Sequence, residues 1–253
     1  SLQPQSDTLQ NAQCPQDLVG SILKLMELDL PVPDHSTLSR RARTLRVAPE
    51  ARTATGPLHL LVDSTGLKLG GPGEWLIEKH GTRRRKSWRK LHLGVDAETG
   101  TIVASTLTSK DVDDAAQLDP LLDQVEGLVA SVTADGAYDQ TGVYDTVAEH
   151  HPDAAVIVPP RSTAVPSPSA ETNPTPRDHH LQIIAERGRM GWQKASGYNQ
   201  RAKAEAAVSR YKRVIGGTLR SQGGPAQEVE TQIAAKALNR MLGLGRPDSV
   251  RAA

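Results

Sequence analysis

Leu58-His59-Leu60-Leu61-Val62-Asp63-Ser64-Thr65-Gly66 (residues 58–66) is the stretch on which the fold turns. Its apolar run fits a short buried strand, and the run stops at an acid followed by turn formers. An Asp at the end of a buried strand is held on rigid backbone. The pattern returns at Leu128–Ala134, which ends in Asp135-Gly136-Ala137-Tyr138-Asp139. Between the two, Leu91–Val95 and Thr101–Leu107 are joined by Asp96-Ala97-Glu98-Thr99-Gly100, a strong hairpin signal. Asp114–Val125 reads as an amphipathic helix around Pro120. A helix over residues 140–150 and a strand at Ala154–Val158 complete the series. The order is strand, strand, strand, helix, strand, helix, strand, helix, which predicts an α/β domain with a mixed sheet flanked by helices.

The last helix of that series is predicted from Tyr198 to Lys212, rich in Ala and charged residues, with no Gly or Pro before Gly216. At about 100° per residue, Tyr198, Arg201, Glu205 and Lys212 fall within a sector of roughly 60°. One polar face results, and Ala202, Val208 and Ile215 are expected to pack inward. If the first and fourth strands are neighbours, as in ribonuclease-H-like sheets, Asp63 and Asp135 meet at one edge of the core with Glu205 above them.

Working outward, residues 1–15 are expected to be a disordered polar tail, and the chain opens at Ser1 without Met, as a fragment or processed form does. Residues 16–55 form a helical segment. Leu18, Ile22, Leu25 and Met26 recur at helical spacing, and Asp34-His35-Ser36 offers caps for a helix over Thr37–Leu45 carrying Arg40, Arg41 and Arg43. This pair is a candidate helix-turn-helix element, ending in a linker over residues 46–57. The main domain spans 56–245. Within it, Gly70-Gly71-Pro72-Gly73 makes a turn, Glu74–Ile77 a brief strand, and residues 159–176 a Pro-rich loop. A helix over Leu181–Arg187, a connection over Gly188–Gly197 and a final helix through Val229, Ile233, Ala237, Leu238 and Met241 follow, with a tail over 246–253.

The formal net charge of +1 conceals a segregation. Lys79, Arg83, Arg84, Arg85, Lys86, Arg89 and Lys90 form a block without an acid, whereas Lys110 is the only Lys or Arg between Asp96 and Asp153. From Arg187 to Arg213 basic residues return, and Glu205 is the only acid among them. Two basic blocks on either side of acidic candidates suit a polyanion with metal at its centre. Cys14 is alone, which excludes an intramolecular disulfide or a cysteine-rich zinc site. No apolar run approaches the roughly 20 residues of a membrane span, so a cytoplasmic protein is expected. His150-His151 and His179-His180 lack helical spacing for shared ligation and are read as solvent-exposed.

Adjacent carboxylates repel or take up a proton unless a cation lies between them. Two Mg2+ ions, with Mn2+ as the alternative, answer that need, since hard cations prefer oxygen and a pair serves phosphoryl transfer. The residues that carry this reading also carry a resemblance. Tyr198-x2-Arg201-x3-Glu205-x6-Lys212 matches the Y-x2-R-x3-E-x6-K signature, and LLVDSTGLK (60s run around Asp63), GEW with Trp75, TADGAYD with Asp135 and WRKLHLGVDAETG match further family regions. The chain, over roughly residues 16–245, thus resembles a DDE transposase of bacterial insertion sequences, in the insertion sequence family 5 group. The resemblance implies a ribonuclease-H-like fold and a metal-binding catalytic triad of Asp63, Asp135 and Glu205. It implies cleavage of double-stranded DNA at terminal inverted repeats, transfer of the freed 3′-OH into target DNA, and a homodimer on paired ends. No membrane and no nucleotide cofactor are implied, there being no P-loop pattern. Tyr198, Arg201 and Lys212 are expected on phosphates, Trp75 against an unpaired base, and Arg83, Arg84, Arg85, Lys86, Arg89 and Lys90 on the DNA backbone. Relatives carry more helical sequence ahead of PVPDHSTLSRR, so residues 16–55 read as a truncated DNA-binding region. The competing readings are a nuclease of the same fold without strand transfer, and a remnant that only binds DNA.

Overall fold

The structure, a computed structural model, describes residues 16–17, 19–45, 47, 56–70 and 88–245. Trp75, Arg83, Arg84, Arg85 and Lys86 lie outside the described residues, as do Cys14, the brief strand at 74–77, the tails at 1–15 and 246–253 and most of the 46–57 linker.

A helical stretch α1 (residues 19–25) precedes α2 (His35–Arg41), whose N-cap Asp34 accepts the Ser36 amide. The sheet then follows: β1 (Leu58–Leu69), β2 (Trp88–Asp96), β3 (Ile102–Ser109), α3 (Leu118–Leu122), β4 (Val129–Thr133), α4 (Thr141–His150), β5 (Ala155–Ile157), α5 (Pro176–Ser196), α6 (Ala202–Val214), β6 (Thr218–Leu219) and α7 (Gly224–Leu244). The strand order is β3-β2-β1-β4-β5, with β6 added to the far end of β1. β1, β2 and β3 run antiparallel, while β4 lies parallel to β1 and β5 parallel to β4. This is a six-stranded mixed sheet flanked by helices, a ribonuclease-H-like α/β fold.

β1 departs from the expected short strand: it runs through Asp63 to Leu69, pairing Asp63 with Leu93 and Lys68 with Trp88. The reason is the period-two pattern, in which buried Leu61, Thr65 and Leu67 continue past the acid. Alternation also sorts the core. Leu58, Leu60 and Val62 face one layer with Leu118, Leu121, Leu122, Val143 and Val147 from α3 and α4. Leu61 and Leu67, with Leu91, Leu93 and Val95, face the other layer with Ala204, Ala207 and Tyr211 of α6 and Leu238 of α7. Asp63 belongs to this second face, so its carboxylate points toward α6.

Two more elements differ from expectation. α5 is one helix from Pro176, kinked at Gly188, where φ is 70°, not a helix followed by a connection. The segment from Tyr198 is not α-helical at its start: Tyr198–Arg201 is a 3-10 turn that follows Gly197 in the left-handed region. The buried stripe of α6 is Ala204, Ala207 and Tyr211, and Ala202 is exposed. Val208 and Ile215 pack half-buried against this layer of the core, as expected, and only Ala202, three residues before Glu205, stays outside it.

The Pro-rich loop is tied down. Asp178, at the start of α5, accepts Ser167 N and Thr175 Oγ1 at 2.7 Å each, and Asp139 accepts the Arg161 amide at 2.9 Å. Arg177 grips Asp139 with Nε at 2.7 Å and Nη2 at 3.1 Å. The Asp139 carboxylate is fully buried, and although burial opposes its ionisation, the Arg177 and Arg161 bonds hold its pKa below the ordinary value. A lowered pKa contributes stability above pH about 4 that is lost as pH falls further. Arg177→Met should therefore destabilise the protein by about 3 kcal/mol at pH 7, since it leaves a buried charge unpaired. In urea melts the gap from wild type should be widest at neutral pH and close in acid; a gap independent of pH would reject the ion pair as its source.

Candidate metal centre

Three elements deliver the carboxylates. Asp63 is mid-strand on β1; Asp135 follows β4 and caps the 3-10 turn Gly136–Tyr138 by accepting the Ala137 amide at 2.9 Å; Glu205 lies in the first turn of α6. Small Ala204 and Ala207 let α6 lie close across β1 and β2. Lys203 Nζ donates to the Ala97 carbonyl at 2.6 Å and Arg210 Nη2 to the Gly100 carbonyl at 3.0 Å, fixing the helix against the β2–β3 hairpin.

What gathers the acids is Arg201. Its Nη2 lies 3.3 Å from Asp63 Oδ1 and 3.7 Å from Asp135 Oδ2, and its Nη1 donates to Glu205 Oε1. One guanidinium thus touches all three carboxylates. Its side chain is only 16% exposed. Burial would lower the pKa of Arg201, but Asp63, Tyr198, Asp135 and Glu205 together raise it. Burial pushes the Asp63 carboxyl above its ordinary range, against the pull of Arg201 and the Ser64 amide, and the charges of Asp135 and Glu205 add to the rise.

The polar face opens to one side. Asp63, Glu205, Val208, Ser209, Lys212 and Arg213 line an open groove of about 540 Å³. Ser209 and Arg213 escaped the sequence reading, though each is four or eight residues beyond Glu205 and shares its stripe. Tyr198 lies at the other end, its ring tilted on buried Trp192 with centroids 5.2 Å apart. The ring is thereby packed against Trp192. The basic-block residues within the described chain have internal partners: Lys90 Nζ is 2.8 Å from both Asp114 Oδ1 and the Val112 carbonyl, and Arg89 Nε donates to Gln227 Oε1 at 3.3 Å.

The histidines need a correction. His180 is part-buried: it accepts Trp192 Nε1–H at Nδ1 and bonds the Val156 carbonyl at 2.7 Å through Nε2. Those two bonds place its proton on Nε2. His150 and His151 are also part-buried, and only His179 of the four is exposed. His150 lies with Asp119 and Asp123 in a group whose ligand atoms fall within 4.8 Å of one another, on the outer side of α3 and α4.

Divalent cations fit the Asp63, Asp135 and Glu205 set on two grounds. The donors are all carboxylate oxygens, the type that Mg2+ and Mn2+ prefer. A positive group, the Arg201 guanidinium, already stands among them, so the place is electrostatically built for a cation.

A family model described as a transposase DDE domain matches residues 54–240. A second model of the same description matches residues 11–72. The first match covers all three carboxylates and the whole sheet.

The raised pKa of Asp63 has a measurable outcome. Its stability contribution is complete below pH about 4 and is lost as pH rises through the raised value. Asp63→Asn should therefore raise the melting temperature of the metal-free protein at pH 7, with no gain below pH about 4. A variant less stable than wild type in EDTA at pH 7 would show that pairing with Arg201 outweighs burial.

Proposed function

The chain belongs to the family of transposases with a DDE domain, and from that premise we propose that it cleaves DNA at the ends of an insertion sequence and joins the freed 3′-OH to target DNA. The observation that carries this reading is the gathering of Asp63, Asp135 and Glu205 about one guanidinium at the head of a groove floored by Lys212 and Arg213. A pure DNA-binding protein gains nothing from acids placed among phosphates. The Tyr198, Arg201, Glu205 and Lys212 spacing supports placement in the insertion sequence family 5 group.

Asp63, Asp135 and Glu205 would hold two Mg2+ ions. Bound there, such ions supply Lewis-acid activation of the attacking oxygen and stabilisation of the leaving one. The protein's own contribution is placement. β1 and the capped turn after β4 fix two ligands on rigid backbone, and the first turn of α6 brings the third. Lys212 and Arg213 neutralise phosphates in the groove and set the DNA backbone in line with the carboxylates. The same site serves water in the first step and the 3′-OH in the second, because both are oxygen nucleophiles attacking a phosphodiester. The protein acts in the cytoplasm, as a homodimer on paired ends.

The test uses end-labelled duplexes carrying the inverted repeats that bracket the reading frame, in Mg2+. Joined products are expected from wild type; nicks alone would reduce the activity to that of a nuclease. Asp135→Asn and Glu205→Gln should lose cleavage and keep DNA binding, and cleavage surviving either change would sink the triad assignment. Lys212→Ala should weaken binding to all sequences alike and lower the salt slope by about 1.

A further inference from the structure

Arg201 occupies the place that the divalent cations require. Nη1 is on Glu205, and Nη2 sits between Asp63 and Asp135, so the guanidinium spans the whole ligand set. A dication brought among the same oxygens would lie within a few ångströms of a fixed positive charge, and that repulsion is strong at a partly buried site. The two cannot share the centre on equal terms. A second observation shows that Arg201 is not fully satisfied where it sits: its Nε is buried and has no hydrogen-bond partner. A buried orphan N–H carries a desolvation penalty that a move toward a new acceptor would remove. The backbone beneath also lies at a joint, since Arg201 ends the 3-10 turn and α6 starts at Ala202. The groove that runs on past Glu205 is lined with Lys212 and Arg213, where DNA phosphates would supply such an acceptor.

We propose that Arg201 is a built-in counter-ion that holds the carboxylates together in the metal-free protein and must be displaced for divalent cations to load, with DNA phosphate as its alternative partner. Metal loading and DNA binding are then coupled through one side chain. The coupling is reciprocal: DNA that draws Arg201 away tightens metal binding, and metal tightens DNA binding by the same factor. This inference rests on the reading of Asp63, Asp135 and Glu205 as the cation ligands.

The measurement is Mn2+ affinity of the full chain by electron paramagnetic resonance of the free ion, with and without a short duplex, corrected for Mn2+ bound by duplex alone. Wild type should bind Mn2+ weakly without DNA and more tightly with it. Arg201→Met should bind at least about tenfold more tightly than wild type without DNA, and gain little when DNA is added. Arg201→Lys, which keeps the charge on a shorter and non-planar head, should fall between them and serves if the Met variant does not fold. Equal or weaker binding by these variants, or a wild-type affinity indifferent to duplex, would overturn the coupling. Asp63→Asn separates the two levels. If it abolishes Mn2+ binding while Arg201→Met is no tighter than wild type, the ligand set stands and the coupling fails; if it leaves Mn2+ binding unchanged, the ligand set itself is wrong.

Discussion

Carboxylates a few ångströms apart repel one another, and the repulsion grows as water is removed. Asp63, Asp135 and Glu205 come from a strand, a capped turn and a helix, and each reaches the same guanidinium. What reconciles them is the positive charge of Arg201, one helical turn before Glu205. The rest of the local structure serves that contact. Alanines at 204 and 207 admit α6 close to the sheet, Lys203 and Arg210 fasten it to the hairpin, and Arg177 holds the segment after Asp135 by its buried Asp139. Helix polarity agrees as well, since Glu205 lies in the first turn of α6 and Lys212 and Arg213 in the last.

Much of the fold was legible because the signals were local. Apolar runs ending in Asp63 and Asp135, the turn residues between β2 and β3, and the alternation of strand and helix all follow from periods of two and of 3.6 residues. The adjacency of β1 and β4 was expected from the likeness to ribonuclease-H-like sheets, and the sheet has it. The spacing of Arg201 and Glu205 placed them on one face, which they share.

The remainder was hidden because it depends on partners far away in sequence. Nothing near Lys90 announces that Asp114 and the Val112 carbonyl will take up its ammonium, so the basic block read as uniformly available for DNA. Local turn formers after Asp63 suggested that β1 ends there, whereas pairing with β2 carries it on to Leu69. His180 read as a surface residue, although Trp192 and the Val156 carbonyl draw it inward. The contacts of Arg201 with the acids were hidden for the same reason. Its proximity to Asp63 and Asp135 exists only after β1, β4 and α6 have assembled.

The order of these pieces along the chain has a bearing on biosynthesis. Asp63 and Asp135 leave the ribosome first, and their strands are neighbours in the sheet. Arg201 and Glu205 arrive much later, within a single turn of each other. A product of premature termination between Asp135 and that turn carries two of the acids with neither Glu205 nor the compensating charge. Such a polypeptide holds the two carboxylates on neighbouring strands with no Arg201 to offset their charge.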